Sequence, residues 1–208
     1  MTCTHKIFFN NSKEMKELDD QSIDLIVTSP PYPMIKMWDE MFSSQNKEID
    51  SAIKNNDAQA MFMLMHKELD KTWDDSYRVL KDGGIACINI GDATRTVDGL
   101  FRIFPNHARI LTHCIDIGFH ALPSVLWVKE TNKPDKFMGS GTLPVGAYVT
   151  LEHEHILILR KGSKRIFKGS EIDNRQMSAF FWEERNNWFS DKWKDINGVF
   201  QKTKDKNL

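Results

Sequence analysis

Short apolar runs recur along the chain and alternate with longer segments in which hydrophobic and polar residues are mixed. Met, Leu, Trp and Tyr at helical spacing between residues 59 and 80 predict one long helix with a stripe that faces the core. A second helix is predicted over residues 104–118, and an amphipathic turn over residues 12–20. Because strands alternate with helices, the pattern predicts an α/β domain with a largely parallel sheet. The predicted strands are residues 5–11, 22–29, 84–92, 121–130 and 153–162.

The second predicted strand runs directly into Ser29-Pro30-Pro31-Tyr32. Consecutive prolines lack backbone donors and have fixed φ angles, so the strand must end at Thr28 or Ser29. The result is a rigid elbow with a hydroxyl before the prolines and an aromatic ring after them. Ligands bind at the carboxyl ends of strands in open α/β sheets, so the elbow predicts a functional site. An ordinary turn that terminates a strand is the simpler alternative.

Composition indicates one globular domain, with 208 residues, 40% hydrophobic and 27% charged residues and a net charge of −1. No apolar run approaches the ~20 residues that span a bilayer, and the first residues lack the apolar core of a signal peptide. Cys3, Cys87 and Cys114 are scattered and fit neither a disulfide framework nor a zinc motif. We therefore expect a cytoplasmic protein without a membrane partner or a metal.

Charge is distributed unevenly along the chain. Residues 161–208 contain eleven Lys and Arg against seven Asp and Glu, together with three of the six tryptophans. A basic, aromatic segment of this kind is typical of contact with nucleic acid, although a solvated helical tail explains the composition equally well. The candidates for phosphate contact are Lys164, Arg165, Lys168, Arg175 and Arg185.

The chain resembles the β-class amino-group DNA methyltransferases, which use S-adenosylmethionine. Their Ser/Asp-Pro-Pro-Tyr/Phe motif ends a central strand, as residues 29–32 do here, and "RVLKDGGIACINIGD", "PSVLWVKE" and "EHEHILILRKG" follow in the family order. The resemblance covers residues 5–162 and extends more loosely through "FFWEERNNWFSDKWKDINGVFQK". It implies a Rossmann-like methyltransferase fold, with residues 1–162 as its catalytic part and 163–208 as part of a DNA-recognition region.

The resemblance assigns catalysis to Ser29, Pro30, Pro31 and Tyr32. The Ser29 hydroxyl and the Pro30 carbonyl would accept hydrogen bonds from an exocyclic amino group, and Tyr32 would stack on a base turned out of the duplex. Serine at the first position favours N4 of cytosine over N6 of adenine as the methylated atom. A non-catalytic remnant that binds DNA is the alternative from another class.

Cofactor contacts are expected, by the same resemblance, from the ends of three strands. Asn10 and Asn11 follow the first predicted strand, where the family often has an acid or an amide near the cofactor's adenine. Ser29 and Pro30 form the elbow, and Asp92 ends the strand beside it. Asp92 could orient a ligand or cap the next turn.

The family's glycine-rich cofactor cradle has one look-alike, residues 135–146. It follows a polar segment and runs into Leu143-Pro144, which cannot propagate a helix, so we interpret it as a loop between the last two strands. In the family's permuted order the true cradle follows the DNA-recognition region. The fold is therefore expected to be incomplete within 208 residues. A second polypeptide or a further C-terminal part would complete the cofactor site, and the first strand would lack a partner.

His153, Glu154 and His155 place two histidines on one face of the last predicted strand. A zinc site needs a third ligand, and no Cys/His cluster lies nearby in the sequence. We therefore interpret both histidines as ordinary strand positions. By the resemblance, Glu154 lines the side of the sheet that faces the target base.

Overall fold

The computed structural model describes residues 3–129 and 139–196. None of the helices in these two ranges is long and apolar enough to cross a bilayer. The strands are β1 (Ile23–Thr28), β2 (Leu80–Ile90), β3 (Ala93–Val97), β4 (Leu100–Phe104), β5 (Phe119–Val128), β6 (His153–Lys161) and β7 (Lys192–Trp193). The α-helices are α1 (Asp39–Gln45), α2 (Lys47–Lys54), α3 (Ala58–Val79), α4 (Asn106–Asp116), α5 (Ser170–Met177) and α6 (Trp182–Trp188), and a 3-10 turn covers Lys36–Trp38.

The main sheet has the order β1-β2-β6-β5-β7. β1 is parallel to β2, with Thr28 opposite Ile88, and β7 is parallel to β5. β6 is antiparallel to both β2 and β5. The α/β fold is thus confirmed, but the prediction of a largely parallel sheet is wrong. In the described part of the connection between β5 and β6, residues 139–152, there is no helix to form the crossover that a parallel pair requires, whereas α1 to α3 supply that crossover between β1 and β2.

The core lies between α3, α4 and one face of the sheet. Four residues of the predicted stripe lie on α3 and are buried, namely Met61, Met65, Leu69 and Trp73. Leu64 and Tyr77 are partly buried, and Leu80, predicted as the end of the stripe, begins β2. α3 begins where the Asp57 carboxylate accepts a hydrogen bond from the Ala60 backbone N–H at 2.9 Å. The buried residues of β2 that face these helices alternate along the strand and include Ala86, Ile88 and Ile90.

Residues 5–11 do not form the predicted strand. The structure gives them no regular secondary structure, and Phe9 is 93% exposed. Residues 12–20 contain only isolated turns. A short strand is stable only when it is hydrogen-bonded to a neighbouring strand, and none of the described strands pairs with residues 5–11. The outer edge of β1 is likewise unpaired among the described strands. That edge strand exposes 56% of Leu25 and 73% of Val27.

β3 and β4 form a hairpin that the hydrophobic pattern did not predict. Their turn is Asp98-Gly99, and both residues have positive φ, 49° and 73°. Asp-Gly between two segments rich in β-branched and aromatic residues is a strong hairpin signal, so the sequence did contain the information. The hairpin follows β2 directly and therefore rises from the same end of the sheet as the elbow.

Candidate active site

The elbow lies where the sequence predicts it, at the carboxyl end of β1. Ser29 is exposed, Tyr32 is half-buried, and Pro33 and Met34 are buried behind it. Because β1 and β2 are parallel, the end of β2 reaches the same edge of the sheet. The elbow therefore stands beside the last residues of β2.

Tyr32 is the centre of a hydrogen-bonded cluster. Its phenol donates to Glu154 Oε2 at 2.9 Å, and the Ser29 hydroxyl lies 3.2 Å from the phenol oxygen. The Asn89 amide donates to both, at 2.9 Å to the phenol oxygen and 2.8 Å to Glu154 Oε2. Lys129 Nζ lies 2.7 Å from Glu154 Oε1 and 3.9 Å from the centre of the Trp127 ring. Among these residues, sequence reasoning identified only Ser29, Tyr32 and Glu154.

The cluster holds Glu154 ionised and Tyr32 protonated. Burial opposes the charge on Glu154, but Lys129 and the hydrogen bonds from Asn89 and Tyr32 outweigh it, so the pKa of Glu154 lies below its usual value. Burial raises the pKa of Tyr32 well above its ordinary value, and the neighbouring Glu154 charge adds to that effect. At neutral pH the phenol is therefore a donor and the carboxylate is purely an acceptor.

Asn106, at the start of α4, connects the elbow to the interior. Its buried amide donates to the Pro33 carbonyl at 3.1 Å and to the Gly91 carbonyl at 3.0 Å. Its Oδ1 lies 3.0 Å from His66 Nε2 on α3. Burial lowers the pKa of His66 to about 3, so this histidine is neutral and donates through Nε2. The elbow is thereby fixed to β2, α3 and α4.

Gly91 allows the Tyr32 ring to pack closely against the end of β2. A Cβ at this position would lie 3.0 Å from a Tyr32 ring carbon and 3.2 Å from Glu154 Cγ. Any larger residue would therefore displace the two side chains whose hydrogen bond organises the site.

Asp92 caps the first turn of α4, 15 residues further along the chain, rather than the turn directly after it that the sequence suggested. Its Oδ1 accepts from the His107 backbone N–H at 3.1 Å, and both carboxylate oxygens lie 2.8 Å from His107 Nδ1. Burial opposes ionisation of Asp92, but the bonds to His107 lower its pKa overall. If Asp92 also contacted the cofactor, as the resemblance implies, it would have to do so through carboxylate oxygens that already interact with His107.

His107 also stacks on His155, with ring centres 3.8 Å apart and planes 12° apart. The expectation that no further ligand lies near His155 is wrong, because donor atoms of Asp92, His107 and His155 lie within 4.8 Å of one another. The three residues are far apart in the sequence, so the sequence analysis did not identify this cluster. The nitrogen lone pairs of two stacked rings lie in two nearly parallel planes and do not meet at one point, so the geometry does not favour a shared metal.

Asn10 and Asn11 form hydrogen bonds within their own segment, to Glu17 and to the Lys13 backbone N–H. The strand that was expected to carry them is not formed, so their cofactor role stays a prediction without that structural basis.

The segment that resembles the glycine-rich cofactor cradle, residues 135–146, is a loop in its described part. Gly139 pairs with Ala147, and no helix follows the glycines. Residues 130–138 lie outside the described ranges.

The basic segment contacts the sheet through an ion pair and through strand pairing, and its other charges contact aromatic rings of the segment itself. Arg165 pairs with Asp24 of β1 and with Glu171 of α5, and its guanidinium lies 5.3 Å from the Phe167 ring. Arg175 lies 4.8 Å from the same ring, and Arg185 lies 5.6 Å from the Trp182 ring. Lys164 and Lys168 are exposed and form no ion pair with a described residue. Within the segment, Trp193 pairs with Trp127 of the sheet.

The sheet, the helices on one of its faces and the Ser-Pro-Pro-Tyr elbow together define a fold of the S-adenosylmethionine-dependent methyltransferase type. The profile of the DNA methylase family, which covers N6 and N4 enzymes, matches residues 23–208. The chain belongs to that family.

Related proteins extend well beyond the aligned region. Type II methyltransferase M.MthZI of Methanothermobacter thermautotrophicus is 51% identical over 210 residues, which cover 100% of this chain and 59% of the relative. M.MjaI of Methanocaldococcus jannaschii is 49% identical, covering 94% and 68%. The structure of TTHA0409 from Thermus thermophilus complexed with S-adenosyl-L-methionine is 26% identical with a TM-score of 0.65, covering 91% and 65%. The chain thus spans about three-fifths of the length of M.MthZI.

Proposed function

We propose that the chain is the catalytic part of a DNA methyltransferase that transfers the methyl group of S-adenosylmethionine to the N4 amino group of cytosine. The observation that carries this proposal is the elbow at the carboxyl end of β1. There, Ser29 and Pro30 lie beside an aromatic ring that Glu154 and Asn89 hold in place. The family membership and the similarity to M.MthZI support the same class of reaction.

The chemistry requires acceptors in fixed positions. An exocyclic amino nitrogen is a poor nucleophile because its lone pair is delocalised into the ring. Two acceptors that bind its hydrogens can favour the geometry in which the lone pair points at the methyl group. The Ser29 hydroxyl and the Pro30 carbonyl suit this role, because the prolines fix their relative positions. The face of Tyr32 would stack on the extrahelical base.

S-adenosylmethionine would supply the methyl group when bound, as the complex of TTHA0409 suggests. The residues of this chain fit one wall of such a pocket, namely the elbow and the end of β2. We propose that polypeptide beyond the aligned region supplies the opposite wall and covers the free edge of β1, where Leu25 and Val27 are exposed. Small-molecule sites normally enclose most of the ligand, so these residues alone should bind the cofactor weakly.

Contact with DNA is proposed for the basic segment. Lys164 and Lys168 present exposed ammonium groups, while the guanidinium groups of Arg175 and Arg185 lie on aromatic rings. Such groups suit phosphate contact and base stacking, respectively. The choice of cytosine rests on serine at the first position of the elbow.

A chimera tests the proposal, with this chain replacing the matching part of M.MthZI. We expect the chimera to methylate DNA and the unfused chain not to do so. Digestion to nucleosides and mass spectrometry should identify N4-methylcytosine. N6-methyladenine would refute the choice of cytosine and leave the methyltransferase intact. If the folded chimera methylates no DNA, the catalytic function is wrong and a DNA-binding remnant becomes the better description.

A further inference from the structure

We propose that Glu154 acts through Tyr32 to fix the direction of the hydrogen bonds at the elbow, so that the Ser29 hydroxyl meets the target amino group as an acceptor only. Glu154 is thus a positioning residue for methyl transfer. This inference rests on the proposed function and adds a further residue to it.

The single proton of the phenol decides the direction of the first hydrogen bond. Tyr32 Oη and Glu154 Oε2 are 2.9 Å apart, and one of them must donate. The Lys129 ammonium, 2.7 Å from the other carboxylate oxygen, favours the ionised form of Glu154, which has no proton to give. The phenol therefore donates to Glu154 and has no proton left for Ser29.

The orientation of Asn89 decides the second hydrogen bond. Its amide nitrogen lies 2.9 Å from Tyr32 Oη and 2.8 Å from Glu154 Oε2. In the reverse orientation its carbonyl oxygen would face the carboxylate, and two acceptors would repel one another. Asn89 thus donates one hydrogen to each partner and occupies one acceptor site of the phenol oxygen.

The remaining acceptor site of the phenol oxygen faces Ser29, 3.2 Å away. Because the phenol has already donated its proton, the Ser29 hydroxyl must be the donor in this contact. Its hydrogen points inward to Tyr32, and its lone pairs are left for the exposed side. An amino group that arrives there meets two acceptors, Ser29 Oγ and the Pro30 carbonyl, and no opposing hydrogen.

Glu154→Gln should reverse this arrangement. The new side chain keeps its carbonyl for Lys129 and turns its NH₂ group to Tyr32 and Asn89, where two donors would face one another unless the Asn89 amide reverses. The phenol can then no longer donate to residue 154, and the Ser29 hydrogen is no longer held inward. In the M.MthZI chimera we expect kcat to fall about 10- to 100-fold, while the KM values for DNA and cofactor stay within about twofold. Tyr32→Phe keeps the stacking ring, breaks the same chain and should have a similar effect.

The double variant Glu154→Gln/Tyr32→Phe tests whether Glu154 affects methyl transfer only through Tyr32 or also independently of it. If Glu154 acts through Tyr32, the double variant should be no slower than the slower single variant. Glu152→Gln is the matched control, because Glu152 is an exposed carboxylate two residues away, and it should leave kcat unchanged.

NMR of the phenol carbons provides a readout that does not depend on methylation. The chain has three tyrosines, so ¹³Cζ labelling resolves Tyr32. The pKa of Tyr32 should lie above its ordinary value and fall in Glu154→Gln, because the Glu154 charge and hydrogen bond both raise it. Glu152→Gln should not change it.

Three results would overturn the inference: an unchanged kcat in Glu154→Gln, losses that multiply in the double variant, or an unchanged Tyr32 pKa. Failure of the proposed function looks different, since the wild-type chimera would then methylate no DNA. That result would remove the role of Ser29 and this inference with it.

Discussion

The elbow and the basic segment of residues 163–196 hold their functional side chains in different ways. Ser29 and Tyr32 belong to a closed hydrogen-bonded cluster, and Asn106 ties the following residue, Pro33, to β2 and α3. The segment is mostly exposed, and its arginines contact ring faces or, in the case of Arg165, two surface carboxylates. At the elbow, the position of each functional side chain is fixed by hydrogen bonds to several others. In the basic segment, each cation is held by few contacts and should bind nearly independently of the others. Substitutions should therefore have large, coupled effects at the elbow and small, additive effects in the segment.

Ser29→Ala should have the largest effect. It removes one of the two proposed acceptors for the amino group, and loss of one such group typically costs about 10²-fold or more in kcat. The free energy of unfolding should hardly change, because Ser29 is exposed. Both are measurable in the M.MthZI chimera, by methylation kinetics and by urea denaturation. Ser22→Ala, at the opposite end of β1 and also exposed, is the matched control. Full turnover by Ser29→Ala would contradict the role of the hydroxyl.

Asn106→Ala tests whether the elbow depends on its buried support. The change leaves the carbonyls of Pro33 and Gly91 and the His66 Nε2–H without this partner. Each unsatisfied buried group costs about 1–3 kcal/mol, so the free energy of unfolding should fall by at least that amount. Urea denaturation measures it, with Asn187→Ala on the exposed face of α6 as the control. A loss no greater than that of the control would mean that the elbow holds its shape without Asn106.

The same contrast explains what the sequence could predict. The elbow depends on local constraints, because prolines end a strand wherever they occur, and the α3 stripe follows from helical spacing. The cluster joins residues far apart, since Tyr32 and Glu154 are 122 positions apart and Tyr32 and Asn89 are 57 apart. No local pattern contains such contacts. Lys129 and Asn106 were therefore missed, whereas the resemblance had singled out Glu154, which contacts Tyr32 of the elbow.

The errors have physical causes as well. Residues 5–11 have the composition of a strand, but composition alone does not form a strand, and none of the described strands pairs with these residues. The sequence predicts a loop between β5 and β6, and such a connection favours an antiparallel pair, but this consequence for strand direction was not drawn. The Asp98-Gly99 hairpin could have been predicted, because its signal is local.

The smallest expected effects lie in the basic segment, and they test whether its cations act independently on DNA. If each cation neutralises one phosphate, log affinity should fall with log salt with a slope of about −0.9 per contact. Replacing Lys164, Arg165 and Lys168 together by Gln should flatten this slope. Because Arg165 already pairs with Asp24 and Glu171, the two exposed lysines should account for most of the change.

The titration uses the M.MthZI chimera and a fluorescent duplex at several salt concentrations. Lys47→Gln/Lys54→Gln on α2 removes two exposed positive charges far along the chain from the segment, and it controls for net charge alone. An equal change of slope in this control would mean that only total charge matters. A slope unchanged by the triple substitution would leave residues 163–196 as packing against β5. A loss of affinity far larger than the sum of the single substitutions would show that the segment, like the elbow, is a coupled structure, and the contrast between the two regions would then fail.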